Sequence, residues 1–252
     1  MDGTVWDRIA DDYKSEILSP ITDSHSNPLF NDITVLPKRF ESAIDLGCGL
    51  GTLLPTLSKK FKNVVGLDFS QNMVDGASER TKKFDNVHCV CGDMKNLKKQ
   101  YNAYDAAFSI NSILASNIKD VKGIIKEIYK VLRQGGRLFA VLPAMEIYLH
   151  QAQLIVDREM GKGKSQKLAR KKARSLISKS EHDFILGTIN FDGDTQKCFY
   201  SFEIPRLFKE AGFQDVELDK VTYSWTEFQK AGQAFFPEAE LPWDWYVKCE
   251  KK

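Results

Sequence analysis

No stretch of this chain supplies the roughly 20 consecutive apolar residues that crossing a bilayer requires. Its first residues lack the basic start and apolar centre of a secretory signal. A cytoplasmic location, with no membrane partner, is the expectation. Cysteine is sparse: there are 5, an odd count, and none fall in the paired spacing of a zinc site. No metal is expected. Reduced, buried thiols fit this count best, with Cys89 and Cys91 sharing one face of a strand and Cys48 acting as a small filler. The formal net charge is only +2, which gives no general pull towards nucleic acid. Repeats and low-complexity tracts are absent. So are two phosphate-binding patterns. No Gly-Lys-Ser/Thr follows a glycine loop, and Gly-x-Gly-x-x-Gly fails because its last glycine would fall on Thr52. These absences argue against a P-loop nucleotidase and a nicotinamide dehydrogenase.

What is present begins at Ala43. An apolar strand ends in Asp45, and Gly47, Gly49 and Gly51 follow at alternate positions before a helix-forming run. Glycine loses more conformational entropy on folding than other residues. So dense a cluster points to a turn pressed against a ligand at a strand-to-helix junction. A second apolar strand, Asn63 to Asp68, also ends in an acid, and Ser70 behind it is placed as an N-cap. Asp68 stands where a carboxylate can accept both hydroxyls of a ribose. Val87 to Val90 is a third strand, leading to Asp93 and Met94. Asp105 to Ile110 is a fourth, running into Ser109-Ile110-Asn111-Ser112. Residues 118–133 place apolar side chains at helical spacing, and Gly135-Gly136 should stop that helix. Arg137 to Leu142 is the fifth strand, ended by Pro143. Alternating strands and helices predict a parallel sheet covered on both faces.

The ordered series Asp45/Gly47/Gly49/Gly51, Asp68, Asp93 and Ser109 resembles the class I S-adenosylmethionine-dependent methyltransferases, in their small-molecule branch. The likeness spans residues 40–143 and 200–250, and it implies a last helix at 200–213 with strands near 214–223 and 244–250 as a terminal hairpin. It implies an α/β, Rossmann-like sheet of seven strands, mostly parallel with the last antiparallel, and helices on both faces. It also implies S-adenosylmethionine as cofactor, with S-adenosylhomocysteine as product. The implied contacts are Asp45, Gly47, Cys48, Gly49 and Gly51 in the loop, and Asp68 with Phe69 and Met73 at the ribose. Asp93 and Met94 would lie at the adenine, Ser109 and Ile110 between cofactor and acceptor. Tyr13 would reach the cofactor's carboxylate from an N-terminal helix that carries Val5, Trp6, Ile9, Ala10 and Ile17.

The implied organisation is a helical cap at 1–40, a core at 41–143 and 200–252, and an inserted lid or substrate subdomain at 144–199. Asn27-Pro28 starts a second helix in the cap. The insert carries a basic stretch, Lys162 to Lys179, with Leu168, Ala169, Ala173, Leu176 and Ile177 on an apolar side, then a hairpin turning at Asp192-Gly193-Asp194. Methyl transfer to a hydroxyl calls for a base, and the candidates are His150, His25, Glu146 and Tyr200. His88 reads as structural, and nothing gives His182 a role. The segment Ser109 to Ser112 lacks the Asn/Asp-Pro-Pro-Tyr/Phe of enzymes acting on exocyclic amines, which disfavours that subclass. A small-molecule acceptor is the leading expectation. A tRNA or rRNA methyltransferase using the 162–179 helix and a non-catalytic cofactor-binding module stay open. Trp225, Phe235, Phe236 and Trp243 belong to a dimer interface or to a pocket wall.

Overall fold

The structure is a computed structural model and describes residues 18–101, 104–177, 182–191, 193–230 and 233–252. The segment from Val5 to Ile17, with Tyr13, lies outside the described residues, as does Asp192.

The central sheet is built around β2 (Ser42–Leu46), a strand buried along its whole length. On one side of it β3 (Asn63–Asp68) and β4 (Val87–Cys91) add in parallel, and on the other β5 (Tyr104–Ile110) and β6 (Leu132–Leu142). The strand order therefore reverses beside β2, and the crevice outside the carboxyl ends of β2 and β5 is where open α/β sheets bind ligands. Beyond β6 come β11 (Trp243–Glu250), antiparallel, and β10 (Gln214–Tyr223). The expected last strand is thus antiparallel as anticipated, but among the described residues the sheet has 8 strands. The additional one, β1 (Ser24–Ser26), pairs with the outer edge of β10 and covers backbone groups that would otherwise be unpaired.

The helices follow from capping and periodicity. Asn27 accepts from Leu29 N and so caps α1 (Pro28–Val35). Next comes the short α2 (Leu54–Ser58). Ser70 accepts from Met73 N at 3.2 Å and caps α3 (Gln71–Thr81), in the predicted role. Asn117 caps α4 (Ile118–Val131), whose Val121, Ile124, Ile125, Ile128 and Val131 are buried. Each such side chain contributes about 1.5–3 kcal/mol of burial. The helix does not run on to Gly135. Leu132 is already extended, and the two glycines lie inside β6, where Gly135 N donates to Lys251 O and Lys251 N to Gly136 O. The pairing register with β5 shifts there, so the glycines mark a bulge rather than a stop.

After β6 come α5 (Glu146–Gly161) and α6 (Gln166–Ile177), antiparallel partners with Ala169 and Ala173 buried. A small sheet follows: β7 (His182–Asp183), β8 (Thr188–Phe191) and β9 (Asp194–Lys197). Its hairpin is shorter than expected, because Lys197 N turns to Leu114 O and Phe199 N to Pro143 O. The chain returns through α7 (Ile204–Ala211), closed by Gly212 in the left-handed region, and α8 (Trp225–Lys230) precedes β11. The cysteine expectation holds for Cys48, Cys198 and Cys249 and fails for Cys89 and Cys91. Those two are half-buried and exposed, because β4 is the sheet edge.

Candidate functional site

The glycine loop is tied to its neighbouring strand before any ligand is considered. Gly47 N and Cys48 N both donate to Leu67 O, at 2.7 and 3.0 Å. Gly47 sits at φ +71°, and a Cβ there would lie 2.4 Å from the Ser112 Cβ, so only glycine fits. Gly51 packs behind the loop, where a Cβ would stand 3.0 Å from the Ala77 Cβ of α3. Asp68, at the end of β3, accepts from Gly49 N at 2.9 Å through Oδ2 and from Ser70 N at 3.0 Å through Oδ1. One carboxylate thus aligns the loop and the start of α3. A carboxylate in this position presents acceptor oxygens of the kind a ribose diol needs.

Three adjoining cavities run along the crevice. The largest, about 270 Å³, takes its floor from Asp45, Gly47, Cys48 and Gly49 and its walls from residues 18–21, Ile110, Tyr148, Phe228 and Trp243. A smaller one of about 80 Å³ lies between Asp68, Phe69, Asp93, Met94, Ala115 and Ile124. A third, about 50 Å³, joins them and adds Met73. The fold thus brings ten of the thirteen expected cofactor contacts to this crevice: Asp45, Gly47, Cys48, Gly49, Asp68, Phe69, Met73, Asp93, Met94 and Ile110. Gly51 supports the loop from behind. Ser109 is fully buried and shares a 2.7 Å hydrogen bond with the Ser112 hydroxyl, which donates to Leu46 O.

The electrostatics of the floor favour a cation. Asp45 is buried, and its acid is pushed up to about 7, first by burial and second by the charge of Asp68. A positive ligand would relieve both carboxylates. S-adenosylmethionine carries an ammonium and a sulfonium, an adenine that suits the Phe69–Met94 slot, and a ribose diol for Asp68. The residues present fit it.

The candidate bases are placed elsewhere. Among the described residues, none of the four lines these cavities. Glu146 accepts from Ser201 N and from the Trp245 indole, holding the insert to β11. The Tyr200 hydroxyl donates to Phe184 O. His150 lies against Trp243, with its Nε2 at 3.4 Å from Glu240 O. His25 is exposed on β1, and His88 is exposed on β4. Instead the large cavity is lined by Asn111, Gln196, Tyr223, Trp243 and Asp244. Asn111 adopts φ +47°, a left-handed conformation that asparagine tolerates best among residues with a side chain. Asp244 could have been suspected from sequence, since an acid flanked by two tryptophans inside an apolar strand runs against strand preference. Trp243 lies in the wall of this pocket; Trp225 is buried beside it with Phe236 packed against it, and Phe235 is exposed.

Residues 43–136 match the methyltransferase domain family. A demethylmenaquinone methyltransferase of Staphylococcus haemolyticus is 28% identical over 190 residues, 71% of each chain. The structure resembles a Thermotoga maritima S-adenosylmethionine-dependent methyltransferase, described as a possible histamine N-methyltransferase, with TM-score 0.59 and 19% identity over 99% of both chains. It also resembles a Haloferax volcanii structure of a putative methyltransferase with the Trm112 activator, with TM-score 0.63 and 18% identity over 98% of this chain and 97% of that one. The methyltransferase domain at 43–136, these relatives and this fold together support a class I S-adenosylmethionine-dependent methyltransferase. Its cofactor is S-adenosylmethionine, and no helix among the described residues is long and apolar enough to cross a membrane.

Proposed function

We propose that this methyltransferase acts on a small-molecule acceptor held in the large cavity. The observation that carries the reading is the continuity of that cavity from Asp45 and the glycine loop to an aromatic end at Phe228 and Trp243. Its walls come from residues 18–21, α5, β9 and α8, so the acceptor would be enclosed rather than laid across a surface. The similarity to demethylmenaquinone methyltransferases supports a small-molecule acceptor.

S-adenosylmethionine supplies a methyl group already activated on a positive sulfur. The protein's task is then to position the acceptor and exclude water. Asp68 would hold the ribose, Phe69, Asp93 and Met94 the adenine, and Asp45 the positively charged end. Calorimetry with S-adenosylmethionine tests the cofactor half. Tight binding by the wild type and weak binding by Asp68→Ala are expected, and equal binding by the two would refute it. Native mass spectrometry of the purified protein tests the acceptor half by the mass of a retained small ligand.

RNA as acceptor is favoured by one feature, the exposed Lys167, Arg170, Lys171 and Lys172 of α6, which have no ion pair among the described residues. Salt-sensitive RNA retention that disappears when these four become glutamine would favour it over the small molecule.

A further inference from the structure

Two carboxylates line the large cavity, Asp45 beside the glycine loop and Asp244 beside Trp243. The second has no assigned task. Its Oδ2 accepts from the Tyr223 hydroxyl at 2.7 Å and from Asn111 Nδ2 at 3.0 Å. Among the described residues its Oδ1 meets only Ala144 N, at 3.3 Å. A carboxylate oxygen takes two donors, so Oδ2 is filled and Oδ1 keeps a lone pair. Protein surrounds Asp244, yet part of its surface stays accessible, and the cavity is the space it borders.

Among the described residues no cation balances this group. The titratable side chains facing it are Tyr223 on β10, Tyr148 on α5 and Cys198 after β9, and burial pushes each of them upward, Cys198 to about 12. All three are neutral around neutral pH. Burial raises Asp244 itself, while its hydrogen bonds from Tyr223, Asn111 and Ala144 pull the other way. Two further donors belong to residues of the same cavity and have no partner among the described residues, Gln196 Nε2 and Trp243 Nε1, against one acceptor in the same position, Asn111 Oδ1. A surplus of donors suits an oxygen-bearing ligand better than an ammonium, which would need acceptors.

We propose that Asp244 is a catalytic base, and that its Oδ1 receives the proton of a phenolic or enolic hydroxyl seated against Tyr148, Phe228 and Trp243. This rests on the small-molecule reading above. As the acceptor oxygen bonds the methyl carbon, its proton passes to Asp244 Oδ1. The electron pair of the broken carbon–sulfur bond stays on sulfur, which leaves as a neutral thioether. The proton returns to solvent after product release.

The test uses full-length protein loaded with S-adenosylhomocysteine and para-nitrophenol, a phenol that ionises near neutrality and colours only as the anion. Calorimetry first establishes S-adenosylhomocysteine binding for each variant. Wild type should bind the colourless phenol, with affinity falling as the probe ionises. Asp244→Asn, whose amide can donate to an anion, should shift the preference towards the coloured phenolate by on the order of tenfold or more. Tyr223→Phe removes one donor from the carboxylate and should move the low-pH limit of phenol binding upward. It carries the test if the asparagine variant does not fold. Identical pH preference in wild type and both variants overturns the proposal. So does failure to bind the phenol by protein that binds S-adenosylhomocysteine. Failure of the wild type to bind S-adenosylhomocysteine overturns the cofactor assignment itself, and the two failures are read separately.

Discussion

The two ends of the crevice are assembled in opposite ways. The cofactor end is made of short runs at strand-to-helix turns: Asp45 to Gly51, Asp68 to Met73, and Asp93 with Met94. The acceptor end gathers side chains from distant parts of the chain. The Asn111–Asp244 hydrogen bond spans 133 residues and the Ala144–Asp244 contact spans 100. A binding element that one turn completes leaves a spacing pattern. A binding element closed by sheet topology leaves only single residues of unexpected polarity.

The comparison can be broken most directly at Asp68. Its replacement by alanine removes the acceptor for two hydroxyls and frees Gly49 N. S-adenosylmethionine affinity by calorimetry should fall by roughly a hundredfold or more. A small effect would mean that the cofactor end is not held by its motifs.

Asp45 sharpens the electrostatic side of the contrast. Its acid titrates near 3.8 in an unfolded chain and at about 7 in the fold. Between those values the folded protein holds a proton that the unfolded chain releases, so ligand-free stability falls as pH rises through that window. Asp45→Asn should flatten the slope and stabilise the ligand-free protein above neutrality by on the order of 2 kcal/mol, read from urea unfolding at several pH values. It should also weaken cofactor binding, because the cation loses a counter-charge.

At the acceptor end, Asn111→Ala places a less tolerant residue at φ +47° and removes a donor from Asp244. The expected cost is about 2 kcal/mol in chemical unfolding. The smallest effect belongs to α6. Changing Lys167, Arg170, Lys171 and Lys172 to glutamine should alter stability by less than about 0.5 kcal/mol and leave cofactor affinity unchanged. A large loss in either would show that the helix belongs to the site.

Much of the sheet was legible because each core element announces itself locally. The strand Asn63–Asp68, the Ser70 cap and the apolar face of residues 121–131 all lie where periodicity and capping put them. The misreadings share a cause. Gly135-Gly136 looked like a helix stop, but pairing with the C-terminal residues draws them into a bulged strand. Ser24–Ser26 became a strand only because β10 offered an edge. Glu146 and Tyr200 looked available for chemistry, yet their partners, Ser201, Trp245 and Phe184, engage them in holding the insert.

The sequence by itself determined the methyl donor. The turn proposed to bind it is formed by consecutive residues, whose backbone demands are written directly as glycine and acid at set spacing. The tertiary structure alone decided what faces the acceptor. It did so by laying β11 antiparallel beside β6, which carries Asp244 back to Asn111 and Ala144, and no local propensity encodes that return.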